Sequence, residues 1–196
     1  VGVTIIQVLK LISDIPISVN QFLKPRAFIT YYGGTPRAQV TMYETAEAKA
    51  YKKKFAKHIK EQVKLQKWKK LKNRFQKYYV DCTFYFPKTN MDTNNMWKLM
   101  LDAVSESLVV WEDDVQSCER VQGIFYDTAN PRVEITIHPV DFVGIFPTIK
   151  QLQSYESNCI TCKRYKNNCS ILTKAKEGRI QTDVQEFTCA KYKKIK

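Results

Sequence analysis

The sequence of 196 residues predicts a mixed α/β (α+β) fold: a mixed β-sheet with two main helices, then a small metal-stapled C-terminal extension. Three observations carry this expectation. Ala48, Tyr51, Phe55, Ile59 and Val63 recur at helical spacing, with lysines on the other faces. Residues 78–86 and 132–138 are rich in aromatic and β-branched side chains, the composition of strands. Four of the six cysteines lie at or beyond position 159, apart from the aromatic-rich body.

Taken in order, residues 3–12 read as a first strand that ends in the turn-forming run Ser13-Asp14-Ile15-Pro16. Residues 27–32 and 39–43 read as short strands of a hairpin around Gly33-Gly34. Thr45 is placed to cap a long helix over 46–65, and residues 67–74 either continue it or form a basic loop. Residues 78–86 make a central strand that Pro87 ends. A second helix is expected over 93–107, burying Met96, Leu99, Met100, Ala103 and Val104. Asn94, Asn95, Lys98 and Asp102 then share the opposite face. Residues 120–126 and 132–138 form two more strands about the turn from Asp127 to Pro131. Gly144 and Pro147 suggest a linker, which gives a body over 1–146 and a basic cysteine-rich tail over 147–196.

The 44% hydrophobic content and ten phenylalanines suffice for a core, which excludes global disorder. No apolar run reaches the length of a membrane span, and we expect neither a signal peptide nor a membrane partner. The formal charge is +13, and thirteen Lys or Arg against two Glu lie between Glu47 and Lys77. A segment this one-sided suits a polyanion, whose counterions are released on binding. Lys53, Lys57, Lys60, Lys67, Lys69, Lys70, Lys72 and Arg74 are the candidate nucleic-acid contacts.

Against this background stands an acidic island. From Asp92 to Gln116 there are six carboxylates and one lysine. Carboxylates near bound phosphates need a cation between them, and magnesium favours hard oxygen ligands. Asp92 and the Asp113-Asp114 pair are the candidate ligands, and Lys98 can neutralise charge developing on a phosphate. Each also has a plain structural use: Asp92 as a helix cap, Lys98 as a surface residue, Asp113-Asp114 as a turn. His58 and His138 are far apart in the chain and do not suggest a histidine site, and of Trp68, Trp97 and Trp111 only Trp97 adjoins the island.

Cys159-x-x-Cys162, with Cys169 and Cys189, supplies four thiols, and the leading expectation is tetrahedral zinc. An iron–sulfur cluster and unligated or redox cysteines are the alternatives. From Cys159 to Lys196 ten Lys or Arg face three acids, with Tyr165, Phe187 and Tyr192 between them, so the tail reads as a second DNA-contacting element or a dimer-stabilising knob.

The run Asp-x-Asn-Asn-x-x-Lys over 92–98, then Asp102-Ala103, then Asp113-Asp114-x-Gln116, resembles the RusA family of Holliday junction resolvases. Pro16-x-Ser18-x-Asn20 looks like the opening of the same family, and the resemblance spans residues 3–139. It implies a RusA-like fold in a small homodimeric endonuclease of DNA recombination and repair. Such an enzyme uses magnesium or manganese to make paired cuts in four-way DNA junctions, in the cytoplasm of a bacterial or phage-infected cell. Position by position, Asp92 matches the first metal-binding aspartate, Asn95 the following asparagine, Lys98 the catalytic lysine and Asp114 the third acid, with Asp113 beside it. Asn20 and Asn95 join the candidate nucleic-acid contacts. The chain departs from the motif at Asn94, where a metal-binding aspartate is expected. A neutral oxygen there lowers cation affinity, so the expected activity is weakened or lost. The alternative is a non-catalytic branched-DNA-binding or architectural protein.

Overall fold

The computed structural model describes residues 7–195, which form two compact units. The first holds the residues through Leu71 together with Tyr79–His138, and the second holds Lys72–Tyr78 and the residues from Pro139 onward. The second unit thus begins earlier than residue 147 and takes in a stretch of the basic segment. The early part of the expected first strand lies outside the described residues.

The main sheet has the order β1–β6–β4–β5, from β1 (Leu9–Ser13), β4 (Tyr78–Phe86), β5 (Ser117–Tyr126) and β6 (Arg132–Pro139). β1 and β6 pair antiparallel, with Leu9 opposite Ile137 and Ser13 opposite Val133. Period-two alternation decides the faces. Val80, Cys82, Phe84 and Phe86 of β4 are buried, as are Val133, Ile135 and Ile137 of β6 and Leu9 and Leu11 of β1. The other face is half exposed and polar. There Asp81 accepts two bonds from Arg120 (2.6 and 2.7 Å) and one from Gln122 (2.8 Å), and lies 3.1 Å from His138 Nε2. The Arg120 guanidinium lies 3.6 Å over the Tyr79 ring. His138 is therefore part of a structural ion network.

Two helices cover the buried face. α2 (Ala46–Leu65) packs on β1 and on α3 (Trp97–Ser107). The Thr45 hydroxyl accepts the Ala48 N–H at 3.3 Å, the expected cap. Ala48, Tyr51, Phe55 and Ile59 are buried, and Val63 is half buried. α2 stops at Leu65, and Lys67 takes a left-handed φ of 54° that lets Trp68 turn inward to 6% exposure. Residues 67–74 are therefore a basic loop. Met96, Leu99, Met100, Ala103 and Val104 are all buried, so the α3 stripe is as expected. The helix closes on Leu108 at φ 63°, a left-handed C-terminal cap.

The hairpin is longer than the sequence suggests. After the short α1 (Val19–Phe22), β2 (Leu23–Tyr32) and β3 (Thr35–Glu44) run ten residues each in an unbroken antiparallel register. Gly33 and Gly34, at φ 57° and 80°, make the two-residue turn. Pro25 and Pro36 lie within these strands, and a two-stranded ribbon has only edges, where proline is tolerated.

In the second unit, α4 (Ile149–Ile160) is capped by Thr148, and α5 (Ile171–Lys176) follows. The small strands β7 (Val184–Gln185) and β8 (Thr188–Cys189) pair with each other. Val143, Phe146, Leu152, Tyr155 and Ala175 form its core. The segment around Gly144 is not the linker expected of it: Val143 and Phe146 are buried, and Ile145 N–H donates to the Ala175 carbonyl at 3.0 Å. Gly144 has φ 60°, and a Cβ there would come within 2.0 Å of the Ala175 oxygen. Only glycine fits that approach.

Candidate active site

Two tight turns of the first unit position the acids. Asp92 caps a 3₁₀ turn over Thr93–Asn95, accepting the Asn94 N–H at 2.9 Å and the Asn95 side-chain amide at 3.3 Å. Asp113 caps a second such turn over Asp114–Gln116 and accepts the Val115 N–H at 3.0 Å. Buried Gln116 holds this loop by accepting the Glu112 N–H at 2.8 Å. The glutamine of the Asp-Asp-x-Gln run thus aims the two aspartates.

One helical turn into α3, Lys98 pairs with Asp102 at 3.4 Å. Asp102, Glu106, Glu112, Asp113 and Asp114 line an open cavity of about 370 Å³. Glu44 and Lys52 also line it. Lys52 is 8% exposed and bonds both Glu44 (2.9 Å) and Glu106 (2.5 Å). Burial works against its charge, yet those two carboxylates more than offset it and its pKa is raised.

The carboxylates are not equivalent. The Val115 N–H, with help from Asp114, lowers the pKa of Asp113. The Asp113 carboxyl, then burial and the charges of Asp113 and Asp102, raises that of Asp114, while Lys98 pulls the other way. Two carboxylates facing one another hold a proton between them and titrate as a unit. That is an unmet demand for positive charge.

Of the expected site residues, the structure brings Asp113, Asp114 and Lys98 into one electrostatic group. Asp92 and Asn94 do not line the cavity, and Asp92 serves its own turn. Asp102, Glu44, Glu106 and Lys52 were not among the expected ligands. For Asp102 and Glu106 a signal existed, since Lys98, Asp102 and Glu106 follow one another at four-residue spacing. For Glu44 and Lys52, nothing local marks a lysine of a basic helix as buried. Trp97 sets its ring edge-on against Phe84, with centroids 5.8 Å apart, and so packs the core.

Among the described residues, no three His, Cys, Asp or Glu side chains are gathered as a metal cage. The donor set still fits magnesium, which takes one or two carboxylates and fills its shell with water and substrate phosphate. Manganese suits the same oxygen ligands.

Lys53, Lys57, Lys60, Lys67 and Lys69 are exposed and Lys70 is half exposed in the first unit. Lys72 and Arg74 are exposed in the second, where Arg74 lies 3.8 Å from Glu177. Asn20 is exposed, and Ser18 caps its helix by accepting the Asn20 N–H at 3.4 Å.

The first unit is thus a cationic α+β domain with a carboxylate-lined cavity. Residues 24–138 match the family model described as Endodeoxyribonuclease RusA, over more than half of the chain. The chain belongs to this family, whose members are Holliday-junction-resolving endonucleases. The match includes both aspartate turns and α3, and it leaves out Pro16-x-Ser18-x-Asn20 and the residues after 138. No curated protein matches the chain.

Proposed function

We propose that this protein cuts four-way and related branched DNA by divalent-cation-assisted phosphodiester hydrolysis, as a homodimer with one acidic site in each subunit. The observation that carries the reading is the cavity lined by Asp102, Asp113 and Asp114 with Lys98 beside it, in a domain of the RusA family. Asp114 and Asp113 offer the oxygens that would hold magnesium or manganese, and Asp92 would reach the ion once freed from its turn. When bound, the ion supplies Lewis-acid polarisation of the scissile phosphate. Lys98, paired with Asp102, would donate to the phosphate as charge develops on it. The exposed lysines of α2 and the loop after it carry the DNA arms. Paired symmetric cuts require two sites, which supports the dimer.

Asn94 favours a second reading. Its amide oxygen is neutral where the family motif places a carboxylate, so this chain holds a cation weakly, and a non-cutting branched-DNA binder is the alternative. The test is incubation with a synthetic four-way junction and with linear duplex, each in magnesium and in chelator. The expected result is magnesium-dependent cleavage of the junction alone. Junction binding with no cleavage in either buffer would establish the alternative. The cysteines of the second unit, zinc ligands or iron–sulfur ligands on their sequence, we read as a separate thiolate metal centre that takes no part in the cut.

A further inference from the structure

Cys159, Cys162, Cys169 and Cys189 are free thiols. All four line one cavity of about 560 Å³ within the second unit. Three separate segments bring them there: the end of α4 and its following turn, the loop before α5, and β8. Non-glycine residues in left-handed conformation precede two of them, Lys166 and Asn168 before Cys169, and Glu186 and Phe187 before Cys189. Such residues persist only where the surroundings fix them.

The polar groups around the cavity are arranged for thiolates. The Lys193 N–H donates to Cys162 Sγ at 3.4 Å. Tyr155 lines the same cavity at 3% exposure, with its hydroxyl against Cys189. Arg164, Lys166 and Lys191 also line it and offset the charge of ionised cysteines.

The size of the ring distinguishes the metals. One tetrahedral zinc at about 2.3 Å from each sulfur would draw the sulfurs to within about 4 Å of each other. Among the described residues no three Cys, His, Asp or Glu form a group that could hold a single metal ion. The cavity exceeds by far the ~30 Å³ share of one water. A four-cysteine ligand set around a wide space, with no histidine or carboxylate on its wall, suits a centre of several iron and sulfide ions. We propose that Cys159, Cys162, Cys169 and Cys189 ligate an iron–sulfur cluster that staples the second unit. Ferric and ferrous iron together with sulfide supply the cluster at its resting oxidation level, so no oxidant is needed, and each thiol releases its proton to solvent as its sulfur–iron bond forms. The small core of this unit gives the staple its purpose.

The test uses the full chain, purified without oxygen, supplied with ferric and ferrous iron and sulfide, and desalted. Iron, acid-labile sulfide and zinc are then quantified and the visible spectrum recorded. The expected result is iron and sulfide in equal amounts, about two or about four of each per chain, with visible absorption that bleaches on reduction. Cys169→Ser should lose at least half of the iron, whereas Cys118→Ser, outside the ring, should keep it. One zinc per chain without sulfide would overturn the cluster in favour of a single ion, and a chain that retains neither metal would overturn both. Because DNA cleavage is not read, the outcome is independent of the proposed nuclease activity.

Discussion

Asp114 keeps its proton above the usual carboxylate range because Asp113 faces it, and this sets a pH dependence. While the proton stays, the pair is a poor cation ligand; as pH rises through the raised pKa, the proton leaves and magnesium affinity grows. In chelator the sign for stability is opposite. A carboxyl with a raised folded pKa contributes stability at low pH that is lost as pH rises through that value. Calorimetric titration across the acidic range should therefore find magnesium binding that tightens as pH rises, and Asp113→Asn should flatten the trend. A native profile already flat would contradict the shared proton. At this scale the sequence marks Asp113 and Asp114, which line one cavity, and Lys98, which pairs with Asp102 on its rim. Asp92 is harder: a residue that caps its own turn looks the same in sequence as a ligand aimed outward. Asp102 is easy to pass over, although Lys98 one helical turn before it marks the face.

Elements with local signals are the most legible. The buried stripe of α3, the Thr45 cap and the Gly33-Gly34 turn all depend on residues within a few positions of one another. Gly144 misleads because its reason lies far along the chain, at the Ala175 carbonyl. For the same reason Lys52 looks like its exposed neighbours Lys53 and Lys54, though it is the one that Glu44 and Glu106 hold. The exposed lysines of α2 carry an element-scale expectation. Replacing Lys53, Lys57 and Lys60 with Gln should lower the slope of log affinity for DNA against log salt by about 2–3, roughly 0.9 for each phosphate left unneutralised. Because these side chains are solvated, thermal stability should barely change. A slope equal to that of the native chain would remove α2 from the DNA path.

For the molecule as a whole, composition and charge point to a cationic α+β protein, and the family match covers residues 24–138 of that reading. The second unit lies outside the match, and no local pattern foretells that Lys72–Tyr78 belongs to it. In the proposed reading, what joins the scales is position 94, where the family motif is expected to place a carboxylate. Asn94 is exposed beside the Asp92 cap, so restoring a carboxylate there should leave the fold intact. The decisive measurement is the single-turnover rate of four-way-junction cleavage in magnesium by the native chain and by Asn94→Asp, with Asp114→Asn as the inactive reference. The expected result is that Asn94→Asp cuts faster by roughly tenfold or more, the effect of about 1.4 kcal/mol. Equal rates for the native and Asn94→Asp chains would contradict a cation site at this position.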